Sequence, residues 1–301
     1  MPINYNPEKD IPDLTGKSIF ITGGTSGLGA ESAIHLAKHN PSHIYLSGRN
    51  ATSAEKVIKQ IHKSNPDLLV TFIRCDLASL ASVKEAAEHF TRQHITLDIL
   101  MCNAGVMALP PGLTVDGYEL QFGTNHLGHA LLIKKLLPLL EVSSSPRIVL
   151  LTSQGWGLHP RGGIIFEKLK TTQDMAFGGP WQRYGQSKLA NLMYARELAK
   201  RFPTITSVSV HPGVVSTGLA DGLKLKDKMI VHATTWWYIL QAHEGAFNQT
   251  WAATVDKAKL RNGGYYEPVG KLEDRKLDAR ATDEALGERL WNWTEEALRG
   301  Y

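Results

Sequence analysis

Tyr184-Gly185-Gln186-Ser187-Lys188 sets a phenol and an ammonium four residues apart. On a helix that spacing puts both side chains on one face, one turn apart. A free phenol keeps its proton to about pH 10, and a nearby ammonium favours the phenolate and draws that value down. A tyrosine brought toward the working pH can give a proton to a developing alkoxide or take one from an alcohol. A Tyr and a Lys at this spacing also suit a plain solvated helix face, so the rest of the chain has to decide between the two readings.

A second stretch with chemical meaning lies near the start. Residues 17–22 form a short apolar run that stops at glycine, as a buried strand does. Gly23-Gly24-Thr25-Ser26-Gly27-Leu28-Gly29 follows, and then Leu28, Ala33, Ile34, Leu36 and Ala37 recur at helical spacing. Strand, glycine-rich turn and helix is how a dinucleotide-binding unit opens: glycines let the backbone approach a pyrophosphate, and the helix start offers free N–H groups. The spacing differs from the common G-x-G-x-x-G, and a tight structural turn would use the same glycines. The flanking strand and helix favour the phosphate reading. The second strand ends Ser47-Gly48-Arg49-Asn50, without the carboxylate that binds a ribose hydroxyl when NAD is used. The Arg49 guanidinium is a fork of donors suited to a phosphate, and Ser26 can add a hydroxyl. NADP(H) is therefore expected over NAD(H). The alternative is that Arg49 stacks on adenine and leaves both cofactors usable.

Strands are expected at 17–22, 43–47, 68–73, 97–102, 147–152 and 206–210, with a short one near 264–266. Helices are expected at 28–39, 51–64, 79–94 (capped by Ser79), 116–140, 181–202, 216–240, 243–256 and 282–299. This alternation implies a doubly wound parallel α/β sheet, a Rossmann fold of about seven strands with helices on both faces, in one domain spanning 1–301. Ligands of such sheets bind beyond the carboxyl ends of the strands. The glycine turn, Arg49, Asp76-Leu77, Asn103, Ser153 and Pro212 all fall there.

Composition fits this picture. Of 301 residues, 43% are hydrophobic and 21% charged, enough for a sizeable core. The formal charge of +4 is scattered, which argues against nucleic acid or an anionic membrane as partner and leaves room for an anionic cofactor. The two cysteines, Cys75 and Cys102, end apolar runs and make no disulfide framework, so a reducing, cytoplasmic compartment is expected. The polar amino terminus has no signal-peptide core, and no run is long enough to span a membrane. His126 and His129 have a spacing that could suit a metal, but no carboxylate or cysteine accompanies them, so no metal is expected.

Taken together, these residues resemble the short-chain dehydrogenase/reductase family over nearly the whole chain. Thr22 to Gly29 resembles its TGxxxGxG cofactor turn, Asn103-Ala104-Gly105 its NAG element, and Tyr184 to Lys188 its YxxxK. Ser153 stands at the family's catalytic serine and Asn125 at its catalytic asparagine. His211-Pro212-Gly213-Val214-Val215-Ser216-Thr217 resembles the segment that closes over the nicotinamide. Asn125-His126-Leu127-Gly128-His129, with Gly264-Tyr265-Tyr266-Glu267-Pro268-Val269-Gly270, is most similar to the retinol-dehydrogenase-like branch, which includes many fungal reductases. The resemblance implies that Tyr184 is the general acid/base, that Lys188 lowers its pKa and binds the nicotinamide ribose, and that Ser153 bonds the substrate oxygen. It also implies that Asn125 holds a water linking Lys188 to solvent. Singly, Ser153 could cap the next segment, Asn125 could bond backbone, and Asn103 could brace the turn. The resemblance further implies a carbonyl–alcohol oxidoreductase, possible homodimers or homotetramers through the long helices, and substrate segments near 154–180 and 214–240. A non-catalytic cofactor sensor and an alkene or imine reductase are the alternatives.

Those two segments hold Gln154, Trp156, Phe166, Phe177 and Trp181, then Leu219, Leu223, Met229 and Trp236. A wall of this kind favours bulky lipophilic ketones, aldehydes or alcohols, though any one of these side chains could equally pack against the sheet. Segment 214–240 is expected to act as a lid.

Overall fold

The computed structural model describes residues 5–93, 96–175, 177–215 and 240–301. The expected helix at 216–240, with Thr217, Leu219, Leu223, Met229 and Trp236, lies almost wholly outside these residues.

Eight strands form one sheet: β1 (Ser18–Thr22), β2 (His43–Gly48), β3 (Leu69–Arg74), β4 (Ile99–Cys102), β5 (Arg147–Leu151), β6 (Thr206–Val210), β7 (Tyr265–Glu267) and β8 (Lys271–Leu272). Their order is β3-β2-β1-β4-β5-β6-β7-β8. All neighbours run parallel except the short β8, which turns back on β7 and brings the strand number to eight. Each central strand is apolar on both faces, as a sheet covered on both sides requires. Alternation then sorts its residues. Phe20, Leu100, Cys102, Ile148 and Leu150 face one core, and Ile19, Ile21, Ile99, Met101, Val149 and Leu151 face the other.

The second of these cores is closed by α1 (Gly27–Ala37), α2 (Ala51–Ser64) and, from much later in the chain, α6 (Phe247–Thr254). The first is closed by α3 (Leu80–Thr91), α4 (Gly128–Val142), α5 (Gly179–Arg201) and α7 (Glu284–Ala297). Ser79 does cap α3, accepting from the Ser82 N–H at 3.3 Å.

The stretch expected as one helix from 116 to 140 is broken. A turn at Leu120–Phe122 leads into a π-helical turn, Gly123–Leu127, and only then into α4. The Glu119 carboxylate accepts the Phe122 N–H at 2.7 Å and starts the helix there. A side chain at Gly123 would strike Thr114, and one at Gly128 would strike the Leu77 carbonyl, so this segment seats against its neighbours more closely than an ordinary helix could.

Helix α7 lies against α5 and the π-helical turn. Trp291 stacks on Tyr194 with centroids 5.1 Å apart, Trp293 meets Phe122 edge-on, and the Thr294 hydroxyl is 2.9 Å from His126 Nε2. Among the described residues no helix is long and apolar enough to cross a membrane. Leu290 is fully buried at the α7–α5 contact. Leu290→Ala should therefore lower stability by about 2–5 kcal/mol in urea unfolding. Unchanged stability would mean that α7 is not seated on the core.

Candidate active site

The carboxyl ends of β1, β4, β5 and β6 gather the predicted residues. At β1, Gly23 takes φ +64°, and a side chain there would press on Ala104 and the Asn103 amide. A Cβ at Gly29 would run into the Gly23 carbonyl and the same amide. The turn is thus folded so tightly on the NAG element that its outer face is bare backbone. Ser26, the N-cap of α1, makes no side-chain cap bond, so the first N–H groups of the helix and the Ser26 hydroxyl are available to an anion. Thr25 rests on Gly48 at the end of β2, and Leu28 and Val215 both lie against Gly245. This bare cradle at an uncapped helix start fits a dinucleotide pyrophosphate.

Arg49 and Arg74 are exposed at the ends of β2 and β3, where Gly48, the residue before Arg49, pairs with Arg74. Arg74 has no counterpart in the sequence argument, because only the register sets it level with the end of β2. Asp76 accepts from the Ala78 N–H at 3.0 Å, and Leu77 is buried beneath Gly128.

Asn103 does brace the turn. Its amide donates to the Thr22 carbonyl at 2.9 Å, and its own oxygen accepts from Gln249 at 3.1 Å. Gln249, on α6 and fully buried, has no motif that would have found it. A Cβ at Gly105 would lie 3.1 Å from Asn125 Oδ1 and 3.4 Å from Lys188 Nζ. The bare backbone of the NAG element therefore lets these two side chains approach.

Asn125 sits in the π-helical turn and does bond backbone. Its side chain accepts from the Val106 N–H at 2.7 Å and donates to the Val106 carbonyl and the Ser187 hydroxyl, each at 2.9 Å. Ser153 does cap the next segment, accepting from the Gly155 N–H at 3.0 Å. That bond leaves the hydroxyl proton for the Tyr184 phenol, in a hydrogen bond that favours the phenolate.

Tyr184 and Lys188 lie on one buried face of α5, with Lys188 Nζ 5.7 Å from the phenol ring centroid. Burial pushes the phenol up to about 12, a rise that the Ser153 hydrogen bond partly offsets. The expected lowering by Lys188 is absent: the phenol is raised by burial, and Ser153 is what opposes the rise. Burial also lowers the Lys188 ammonium to about 8, and Nζ donates to the Leu151 carbonyl at 3.1 Å.

Among the described residues the expected substrate wall is only partly assembled. Phe166 turns into the core against Trp293, under the Arg289 guanidinium. Trp156 is buried edge-on to Tyr265. Phe177 faces solvent, 87% exposed. Of these described aromatics, Trp181 stands over Tyr184, edge-on at 6.3 Å. Gln154 is exposed beside Ser153 and donates to Glu267 at 3.1 Å, and Glu267 in turn accepts from Lys276 at 2.9 Å. Arg183, which looks isolated in the sequence, is buried beside Glu119 at 3.3 Å. Its other nitrogens hold the Gln173 and Leu109 carbonyls, each at 3.0 Å. Pro212 and Gly213 follow β6, and Val215 forms a parallel bridge with Leu240. His126 and His129 are buried with ring nitrogens already engaged, and no metal-binding cluster occurs among the described residues.

A family model described as short chain dehydrogenase matches residues 17–166. An uncharacterized oxidoreductase of Schizosaccharomyces pombe is 38% identical over 95% of this chain and 86% of its own length. Human retinol dehydrogenase 14 is 32% identical over 94% and 86%, respectively. A solved structure of an uncharacterized protein from Mycobacterium paratuberculosis superposes with a TM-score of 0.75 at 30% identity, covering 96% of each chain. The chain belongs to the short-chain dehydrogenase/reductase family, in its retinol-dehydrogenase-like branch. It is an oxidoreductase on a nicotinamide-binding fold.

The buried ammonium has a measurable cost. Lys188 titrates near 8 when folded and 10.5 when unfolded, so between those values the unfolded chain holds the extra proton and stability rises with pH. Below pH 8 the whole penalty is present. Lys188→Met should therefore unfold at higher urea than the parent at pH 7, by on the order of 2 kcal/mol, with the gap closing toward pH 10. The Leu151 carbonyl keeps a partner in Asn191. Equal destabilisation at both pH values would contradict this.

Proposed function

We propose that this protein is an NADP(H)-dependent oxidoreductase that interconverts a lipophilic carbonyl and its alcohol, with Tyr184 as proton donor and acceptor. The observation behind the reading is the buried face of α5, where Tyr184 meets the Ser153 hydroxyl and stands one turn from Lys188. The glycine cradle, with Ser26, Leu28 and the Asn103–Gly105 backbone, would hold the cofactor, with Asp76, Leu77, Pro212, Gly213 and Val215 around it. The nicotinamide supplies or removes the hydride.

Each protein group then has a defined task. Ser153 turns its proton from the phenol to the substrate oxygen and stabilises the charge that grows there. Tyr184 gives its proton to the same oxygen in reduction and takes it back in oxidation. A phenol held near 12 is fully protonated at neutral pH, which suits the donor role. Lys188, an ammonium below about 8, stabilises the phenolate left behind and orients the cofactor ribose. Asn125 and its backbone connect Lys188 to the proton supply. Trp181 gives the pocket an apolar, aromatic contact beside Tyr184, and the names of several relatives as retinol dehydrogenases support a lipophilic substrate.

Tyr184→Phe should retain cofactor affinity and lose about two or more orders of magnitude in turnover. The test is NADPH oxidation with a panel of lipophilic carbonyls, and normal turnover by this variant would refute the mechanism. Arg49 supports the NADP(H) preference, with no carboxylate at the end of β2. Arg49→Ala should cut kcat/KM for NADPH by about tenfold or more, the weight of a charge-assisted phosphate contact, while sparing NADH. A parent enzyme that uses both cofactors equally would overturn the assignment.

A further inference from the structure

His129 lies one helical turn beyond Asn125, with its imidazole fully buried. Nδ1 is 2.9 Å from the Asn125 carbonyl oxygen, and Nε2 is 2.9 Å from the Thr22 hydroxyl. The partners assign a single tautomer. A carbonyl only accepts, so Nδ1 holds the proton. Thr22 Oγ1 already accepts from the Asn103 and Ala104 N–H groups, at 2.9 and 3.0 Å. Both of its lone pairs are used, and its own proton goes to Nε2 rather than to the Met101 carbonyl at 3.4 Å. Burial and the charge of Lys188 lower the imidazole to about 4, so this neutral form persists at working pH.

One ring therefore joins three pieces of chain: the end of β1 where the cofactor turn begins, the NAG backbone after β4, and the π-helical turn. In that turn the Gly128 N–H reaches back five residues to Gly123, so the helix is wider around Asn125 and its carbonyl can take a side-chain donor.

We propose that His129 is a positioning residue that registers the cofactor cradle against Asn125. Nδ1–H orients the Asn125 carbonyl for proton supply to Lys188, and Nε2 holds Thr22 and, through it, the backbone behind the glycine turn. This rests on the function proposed above.

Two substitutions separate the two bonds. His129→Gln places an amide where Nε2 was, which keeps an acceptor for Thr22 and loses the donor to Asn125. His129→Asn keeps an N–H near the Nδ1 position and loses Thr22. With NADPH affinity read from tryptophan fluorescence quenching, His129→Gln should bind within about twofold of the parent and lose about tenfold in kcat, with a changed kcat–pH profile. His129→Asn should bind NADPH about tenfold more weakly, with kcat at saturating cofactor within about threefold; a tenfold effect is the size of one buried hydrogen bond. Thr22→Val removes that bond together with the acceptor of the Asn103 and Ala104 N–H groups, so it should weaken NADPH binding at least as much as His129→Asn while leaving kcat at saturating cofactor within about threefold, which keeps the test decisive if one histidine variant does not fold. Loss of affinity and turnover together in both histidine variants, or parent values in both, would overturn the proposal. A parent protein that neither binds NADPH nor reduces a carbonyl would instead refute the functional reading.

Discussion

The ammonium of Lys188 is held in the interior by a carbonyl, not by a carboxylate. Its Nζ donates to the Leu151 oxygen at 3.1 Å, at the very end of β5. Burying a cation without an opposite charge is costly and tends to neutralise it. The surroundings must therefore be rigid enough to keep Nζ in place. The Thr152 hydroxyl donates to the Lys188 carbonyl at 2.7 Å, and Asn191 shares the Leu151 oxygen at 3.1 Å. Strand β5 and helix α5 are thus pinned to each other at the one point where a shift would move the ammonium relative to Tyr184.

The same demand extends outward as a hydrogen-bond network. Ser187, between Tyr184 and Lys188 on α5, accepts from Asn125; Asn125 leads through His129 to Thr22; Thr22 leads to Asn103, and Asn103 to Gln249 on α6. Paired buried polar groups favour one arrangement, because breaking a pair leaves a donor or acceptor unmatched; at the far end of this network the Gln249 Oε1 atom has no partner among the described residues. This chain of bonds crosses from one face of the sheet to the other, and it ties the Tyr184–Lys188 face of α5 to the glycine turn.

The segment before α5 is held by the helix that carries Tyr184 and by the turn ahead of α4. Gln186 accepts the Ile165 N–H at 2.8 Å, Arg183 holds the Gln173 carbonyl, and Gln121 holds the Pro180 carbonyl at 2.9 Å. Burial keeps the Glu119 carboxyl above its usual range despite Arg183 beside it. Removing either partner would leave an uncompensated group in the core, so the two are obligatory to each other. The residues on either side of Tyr184 thus fix the path of the chain that leads into α5.

Local chemistry determined much of this before any tertiary contact. Apolar runs ending at glycine or asparagine marked the strand ends, and the spacing of Tyr184 and Lys188 put them on one helix face, because strand and helix periods are properties of the backbone itself. The close packing of Gly23 and Gly29 on Asn103 was likewise foreshadowed by residue type, since only glycine tolerates such contact. Other features depend on residues far apart in the chain. The π-helical turn at Asn125 arises where Glu119 caps Phe122 and Gly128 meets Leu77. Trp156 and Phe166 went to the core and Phe177 to solvent because the apolar faces of β7 and α7 stood within reach of the first two and not of the third. Arg74 was set level with Gly48, one residue before Arg49, through strand register. The Tyr184 phenol was held up rather than drawn down because burial, which no spacing in the chain records, acts on it more strongly than the Ser153 hydrogen bond that opposes it.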